Sequence, residues 1–253
     1  MKKNNISLLI LSSGGYQDLW IPHFFYLKKY LESDLFDHIY LSTNYYNSTV
    51  PKRIEILKSD KEWSDRLIEA LEKVNSDFVF IILEDYILQA KSNLKPIYKI
   101  FKSNELDYLR VSYKKYLPNK SLYKLNKFKR YNISLQPSFW RKDFLKNILR
   151  PSETPWEFEL LGSFRNIFST SNCFGLGSRY FLNNKRPLPC IFTGSVVKGK
   201  LIKTEYIRFK NEIGNLTFSR EIIEENDIIN SVRLNKMDVF LGIINKYAKW
   251  KRY

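Results

Sequence analysis

The 253-residue chain contains only two cysteines and two histidines. Cys173 and Cys190 make no disulfide framework, and with His23 and His38 they do not form a zinc motif. No Ser/His/Asp or Cys/His arrangement is visible, and neither cysteine has activating neighbours. Such cysteine usage fits a reducing cytoplasm. Glycine and proline are scarce at nine each. No Gly/Pro-rich linker divides the chain, and neither G-x-G-x-x-G nor a Walker loop occurs, so a nicotinamide cofactor or an ATPase is not indicated. Long hydrophobic runs are missing too. Ile6–Leu11 and Phe78–Leu83 fall far short of the ~20 residues of a membrane span. Met1-Lys2-Lys3 and the short apolar run after it imitate a signal peptide, but no small-residue cleavage site follows, so the run reads as a first strand. There is no internal repeat.

What the chain does have is ring and positive charge. Aromatics are 16% and hydrophobic residues 44%, enough to build a packed core and exclude disorder. The net charge of +16 suggests an anionic partner. Residues 1–109 hold 14 basic and 15 acidic side chains, residues 110–150 hold 12 basic and only Asp143 as an acid, and residues 151–253 hold 16 and 10. One 41-residue stretch therefore carries most of the excess. It reads either as a contact face or as a solvated loop.

Hydrophobic periodicity organises the first 112 residues. Strands are expected at Ile6–Leu11, His38–Ser42, Arg53–Leu57, Phe78–Leu83 and Tyr108–Ser112. Between them helices are expected at Gln17–Leu31, Trp63–Val74, opened by a Ser59-x-x-Glu62 capping box, and Leu94–Phe101. This alternation predicts an α/β fold with a largely parallel, Rossmann-like sheet flanked by helices. Beyond it, residues 113–131 read as a long Lys/Tyr loop and 132–135 as a strand. Phe139–Leu149 reads as a helix, and another helix starts near Thr154. Met237–Tyr253 reads as a basic amphipathic helix suited to an anionic membrane surface or to core packing. One domain is expected, with parts at 1–112, 113–235 and 236–253.

Five groups of residues are candidates for chemistry. Glu84 and Asp85 end the most apolar strand, where open α/β sheets bind ligands and where a carboxylate can hold a divalent cation. Ser12-Ser13-Gly14 after the first strand and Ser42-Thr43-Asn44 after the second are small enough for a ligand to approach the backbone. Gln136, Ser138 and Trp140 offer sugar contacts, while Arg141 and Lys142 offer a planar fork and a point charge for phosphate. On the helix after Thr154, the apolar stripe Trp156, Leu160, Leu161, Phe164, Ile167, Phe168 is the expected inward face. Glu157 falls inside that face as a general base, and Glu159 on the polar side is the second candidate. Thr154-Pro155-x-Glu157 is equally a capping box, so base and cap remain alternatives for Glu157.

The order of these motifs resembles that of GT-A glycosyltransferases. Small loop, polar strand end and Glu84-Asp85 resemble the nucleotide-sugar half, with Glu84-Asp85-Tyr86 in place of Asp-x-Asp. Leu135–Phe144 and Trp156–Leu160 are similar to the acceptor half of family 2-type enzymes, and the combination resembles small transferases of bacterial capsule and lipopolysaccharide clusters. The resemblance spans roughly residues 6–170. It implies a GT-A-like fold and a general-base motif at Glu157 or Glu159. It places Ser12, Gly14, Thr43 and Asp85 at the donor, Asp85 and Glu84 at a magnesium or manganese ion, and Gln136, Trp140, Arg141 and Lys142 at acceptor and diphosphate. A nucleotide-sugar donor, a saccharide or lipid-diphosphate-linked acceptor and inversion at the sugar follow from the same resemblance, while the basic segment 110–150 and the basic C-terminal helix point to peripheral contact with an anionic membrane. The basic segment 110–150 also allows a nucleic-acid-binding module, and the fold an inactive transferase-like scaffold; no nucleic acid partner is expected on the leading reading.

Overall fold

The computed structural model describes residues 4–111, 122–176, 192–224 and 227. The expected helix at Met237–Tyr253, Cys190 and much of the Lys/Tyr loop lie outside the described residues. The chain divides into two compact units, residues 1–193 and 194–253.

The first unit is built on a sheet of eight strands. They are β1 (Ile6–Leu11), β2 (His38–Thr43), β3 (Glu55–Lys58), β4 (Phe78–Leu83), β6 (Tyr108–Arg110), β7 (Leu122–Lys124), β8 (Ser138–Arg141) and β9 (Cys173–Leu176), in the order β3-β2-β1-β4-β8-β6-β9-β7. β3, β2, β1 and β4 are mutually parallel. β8 enters antiparallel between β4 and β6, and β6 and β9 again run parallel. The sheet is thus mixed but mostly parallel, as the alternation of strands and helices predicts. A short β5 (Tyr86–Leu88) follows β4 and pairs with β10 (Phe192–Gly194).

Helices cover both faces: α1 (Trp20–Tyr30), α2 (Trp63–Lys73), α3 (Leu94–Ser103), α4 (Lys142–Ile148) and α5 (Pro155–Ile167). Alternation along each strand assigns its side chains. Leu9, Leu11, Val79, Ile81 and Trp140 join Leu67, Ala70 and Leu71 of α2, Leu145 of α4 and Phe158 of α5 in one core. On the other face Phe80 meets Phe139 at 4.6 Å between ring centres, and Phe139 meets Tyr98 and Phe101 of α3. β1 is buried at every residue, as a central parallel strand should be.

Three local expectations are corrected. Phe139, Trp140 and Arg141 belong to a strand, and the helix begins only at Lys142. Large rings on successive residues suit a strand with both faces covered, and helical spacing does not distinguish the two. α2 starts after Glu62 with no side-chain cap, because the Ser59 hydroxyl accepts from the Lys61 amide instead. Residues 132–135 form bends, not a strand. Their backbone groups find partners on α5: the Ile133 amide donates to Ser163 Oγ (3.0 Å), Ser163 Oγ lies against the Ile133 carbonyl, and the Leu135 amide donates to Glu159 (2.7 Å).

That demand for partners inverts α5. Its buried side is Glu157, Phe158, Gly162, Ser163 and Asn166, while Trp156, Phe164 and Phe168, expected inward, are exposed. A buried non-sheet backbone needs side-chain acceptors and donors, and the polar face of α5 supplies them.

The described part of the second unit is a three-stranded sheet of β11 (Val196–Val197), β12 (Lys200–Ile202) and β13 (Ile222–Ile223), followed along the chain from β12 by α6 (Lys203–Ile213). Lys198 and Gly199, both at positive φ, make the tight hairpin between β11 and β12. Phe209 is fully buried and packs on Phe218. No helix among the described residues is long and apolar enough to cross a membrane.

Candidate functional site

Register places the small loops and the carboxylates on one rim. Leu11 of β1 pairs with Ser42 of β2 and with Leu83 of β4. Ser12, Thr43 and Glu84 therefore leave three adjacent parallel strands at the same level, at their carboxyl ends. The Ser12 amide donates to the Ser42 carbonyl (2.9 Å) and the Glu84 amide to the Leu11 carbonyl (3.3 Å). The Gly14 amide donates to the Asn44 side chain at 2.8 Å. Tyr45 lies so close to Gly14 that a Cβ there would sit 3.2 Å from it. Trp20 Nε1 donates to Ser12 Oγ at 2.7 Å.

Arg66 is the first residue the sequence reading missed. It is buried, and its guanidinium donates to the Ser12 carbonyl (3.3 Å) and the Lys61 carbonyl (3.0 Å). Burial lowers its pKa, while the Glu84 and Glu62 carboxylates work in the opposite direction. A signal existed: Arg66 is three residues after Trp63 and four before Ala70, on the apolar stripe of α2, where a cation requires partners.

The rim continues across β8. Arg110 of β6 pairs with Ser138 of β8, and Ser138 pairs with Ile81 of β4. Gln136, two residues ahead of β8, therefore lies at this edge. Arg110 is 5% exposed and donates to the carbonyls of Tyr131 (2.9 Å) and Asn132 (3.0 Å). Burial opposes its charge, but Tyr108, Tyr123 and Glu159 favour it and its pKa is raised overall. Burial, then the charges of Asp85 and Glu159, push the Tyr86 hydroxyl pKa upward. Arg110 and Tyr86 were also missed, although each occupies or adjoins the end of an apolar strand.

Other sequence candidates sit elsewhere. Glu157 forms the capping box: its carboxylate accepts from the Thr154 amide (2.8 Å), and its amide donates to Thr154 Oγ1 (3.3 Å). Trp140, expected as a sugar platform, is fully buried in the core with Nε1 donating to Ser138 Oγ. Arg141 and Lys142, expected at the diphosphate, occupy the opposite edge. β8 is antiparallel to β4, so Arg141 pairs with Phe78 at the start of that strand. Arg141 holds Asp107 at 3.0 Å, and Lys142 donates to the Val74 carbonyl at 2.8 Å.

Among the described residues no three His, Cys, Asp or Glu side chains gather as a metal cluster. Glu84 and Asp85 are the carboxylates at this rim, and a divalent cation held there would take its oxygen ligand from one of them. One carboxylate completed by phosphate oxygens is a common magnesium arrangement.

His23 of α1 underlies this turn. It is 1% exposed, and its ring faces the backbone of Glu84 and Tyr86 without either nitrogen reaching a hydrogen-bond partner. Burial lowers its pKa to about 4. The folded protein therefore refuses a proton that the unfolded chain takes up below its ordinary value near 6.5. Stability contributed by neutral His23 is complete above that value and is lost as pH falls toward 4, by about 3 kcal/mol in total. Urea unfolding between pH 7 and pH 4 is expected to show a shallower loss of stability in His23→Leu than in the wild type. Parallel pH profiles would refute this.

No protein-family model matches the chain, and no curated protein does. Among solved structures the chain is similar to S. aureus TarS 1–349, with 13% identity and a TM-score of 0.48, covering 69% of this chain and 61% of that one. TarS 1–349 in complex with UDP-GlcNAc gives 13% identity and a TM-score of 0.48, covering 68% and 58%. The bifunctional IspDF from Campylobacter jejuni gives 17% identity and a TM-score of 0.42, covering 73% and 52%. The chain thus spans about three fifths of the TarS fragment.

Proposed function

We propose that the chain is a glycosyltransferase that moves a sugar from a nucleotide-sugar donor to an acceptor hydroxyl. The observation that carries this reading is the register of the parallel strands, which sets Ser12, Thr43 and Glu84 at one level on their carboxyl rim beside the turn at Gly14. The order of motifs in the sequence supports it.

In this mechanism the nucleotide lies against Ser12, Gly14 and Thr43, where short side chains admit it to the backbone. Asp85 would hold a magnesium or manganese ion, which would supply positive charge against the departing diphosphate. Gln136 orients the acceptor. Glu159 accepts the proton of the acceptor hydroxyl as its oxygen bonds to the anomeric carbon. The bond from that carbon to the diphosphate oxygen breaks with its electron pair going to the diphosphate, and a single displacement inverts the sugar. A saccharide or lipid-diphosphate-linked acceptor in surface polysaccharide synthesis, met on the cytoplasmic side of the membrane, completes the proposal.

The test is donor binding. With magnesium present, one sugar nucleotide of a broad panel is expected to raise the melting temperature by about 5 °C at ~100 times its Kd. A panel without any shift would overturn the reading.

A further inference from the structure

The outward face of α5 has no role in the sugar-transfer reading. Trp156, Phe164 and Phe168 are 62%, 58% and 77% exposed. With the half-buried Leu160 and Ile167 they form one stripe at helical spacing, about 18 Å long from Trp156 to Phe168. Phe164 and Phe168 touch edge to face at 5.4 Å. Isolated exposed apolar residues are ordinary, but a contiguous stripe of this kind marks a contact surface.

The turn at 126–131 is fastened beside it. Asn132 Nδ2 lies within hydrogen-bond reach of the carbonyls of Lys127 (2.8 Å), Lys129 (2.9 Å) and Ser163 (3.2 Å). Its Oδ1 accepts from Asn166 of α5 at 2.8 Å. Lys127 Nζ donates to the Ser169 carbonyl just past the helix. The turn presents Phe128, 83% exposed, together with exposed Lys129 and Arg130, and Lys124 is exposed on β7.

The glutamates of this region are turned inward. Glu157 caps α5, Glu159 accepts from the Leu135 amide, and Glu153, 3% exposed, grips Arg165 with both oxygens at 2.7 and 2.8 Å. The face therefore combines an aromatic and aliphatic stripe with cations beside it and keeps its carboxylates away.

We infer that α5 and the 126–131 turn form a membrane-docking surface that lies on an anionic lipid bilayer, with Trp156, Phe128, Phe164 and Phe168 in the interface and Lys124, Lys129 and Arg130 among the headgroups. Charge complementarity selects this occupant: basic side chains flanking an apolar helical face fit acidic lipid. The aliphatic residues in the stripe argue against stacked bases, and the adjacent cations argue against a second copy of this positively charged chain. The inference is independent of the sugar-transfer reading.

Cosedimentation of the full chain with vesicles tests it. Binding is expected to phosphatidylcholine vesicles containing phosphatidylglycerol, to fall with salt, and to be much weaker without the anionic lipid. Emission from Trp156 should shift to the blue on binding, a shift that Trp156→Phe reduces, because Trp20 and Trp140 are already buried. Phe164→Ser with Phe168→Ser is expected to weaken binding at least tenfold. Lys129→Gln with Arg130→Gln should weaken it about fivefold per charge. Both pairs are exposed, so melting temperature and sugar-nucleotide binding should stay near wild type. Failure to bind acidic vesicles would overturn the inference, as would undiminished binding by the Phe164/Phe168 variant. Concentration-dependent dimerisation lost in that variant, or oligonucleotide binding in place of vesicle binding, would also overturn it.

Discussion

Glu159→Gln is expected to slow sugar transfer by about 10²–10⁴-fold, the usual contribution of a general base, in a chain that stays folded. The glutamine oxygen can still accept from the Leu135 amide, which Glu159 meets at 2.7 Å, so the contact between α5 and the 132–135 bend survives. What disappears is the ability to take a proton. Glu157→Gln is the paired control. A glutamine at that position also completes a capping box with Thr154, so the rate should remain within a few fold of wild type. Glu157→Ala should cost stability, about 1 kcal/mol for a lost cap, more than rate. Initial rates and melting temperatures of the three variants separate the roles. A wild-type rate in Glu159→Gln, or a collapse confined to Glu157→Gln, would reverse the assignment.

Asp85→Ala is expected to lower turnover by about 10²–10³-fold, the scale for removing one preorganised group that stabilises developing charge. The half-buried carboxylate leaves β4 one residue after Glu84, whose own charge faces Arg66. Glu84→Gln should therefore act differently, loosening the support of the Ser12 loop through Arg66. Titrating magnesium distinguishes the two: Asp85→Ala should no longer respond to the ion, while Glu84→Gln keeps a response. An Asp85→Ala enzyme with unchanged rate and unchanged magnesium dependence would remove Asp85 from the site.

The carboxyl rim of the parallel strands was legible because its signals are local. β1 and β4 are short apolar runs ending in small or acidic residues, and parallel pairing brings their ends to one level. Phe78–Leu83 has the predicted limits. The part of the chain from β8 to α5 was less legible because tertiary demands override the local pattern there. Phe139-Trp140-Arg141 fits a helix by spacing, yet a slot between β4 and β6 makes it a strand and carries Arg141 and Lys142 to the far edge. On α5 the apolar stripe predicted the buried face, but the unpaired backbone of 132–135 claimed the polar one. For Glu157 the structure forms both hydrogen bonds of the capping box. Arg66 and Arg110 needed the reverse inference, from a cation within an apolar pattern to the partners it must have.

The antiparallel entry of β8 bears on how such a chain can vary. Arg110 ends β6 and Ser138 begins β8, and the two are paired neighbours. The intervening segment leaves the rim and returns to it at adjacent points. The parallel strands that carry Ser12, Thr43 and Asp85 meet this part of the chain through the β4–β8 ladder. Within this segment β7 edges the sheet beside β9, and Leu125, Ile133 and Leu135 enter the core, so exchanging residues 111–137 would have to replace packing as well as whatever approaches the rim.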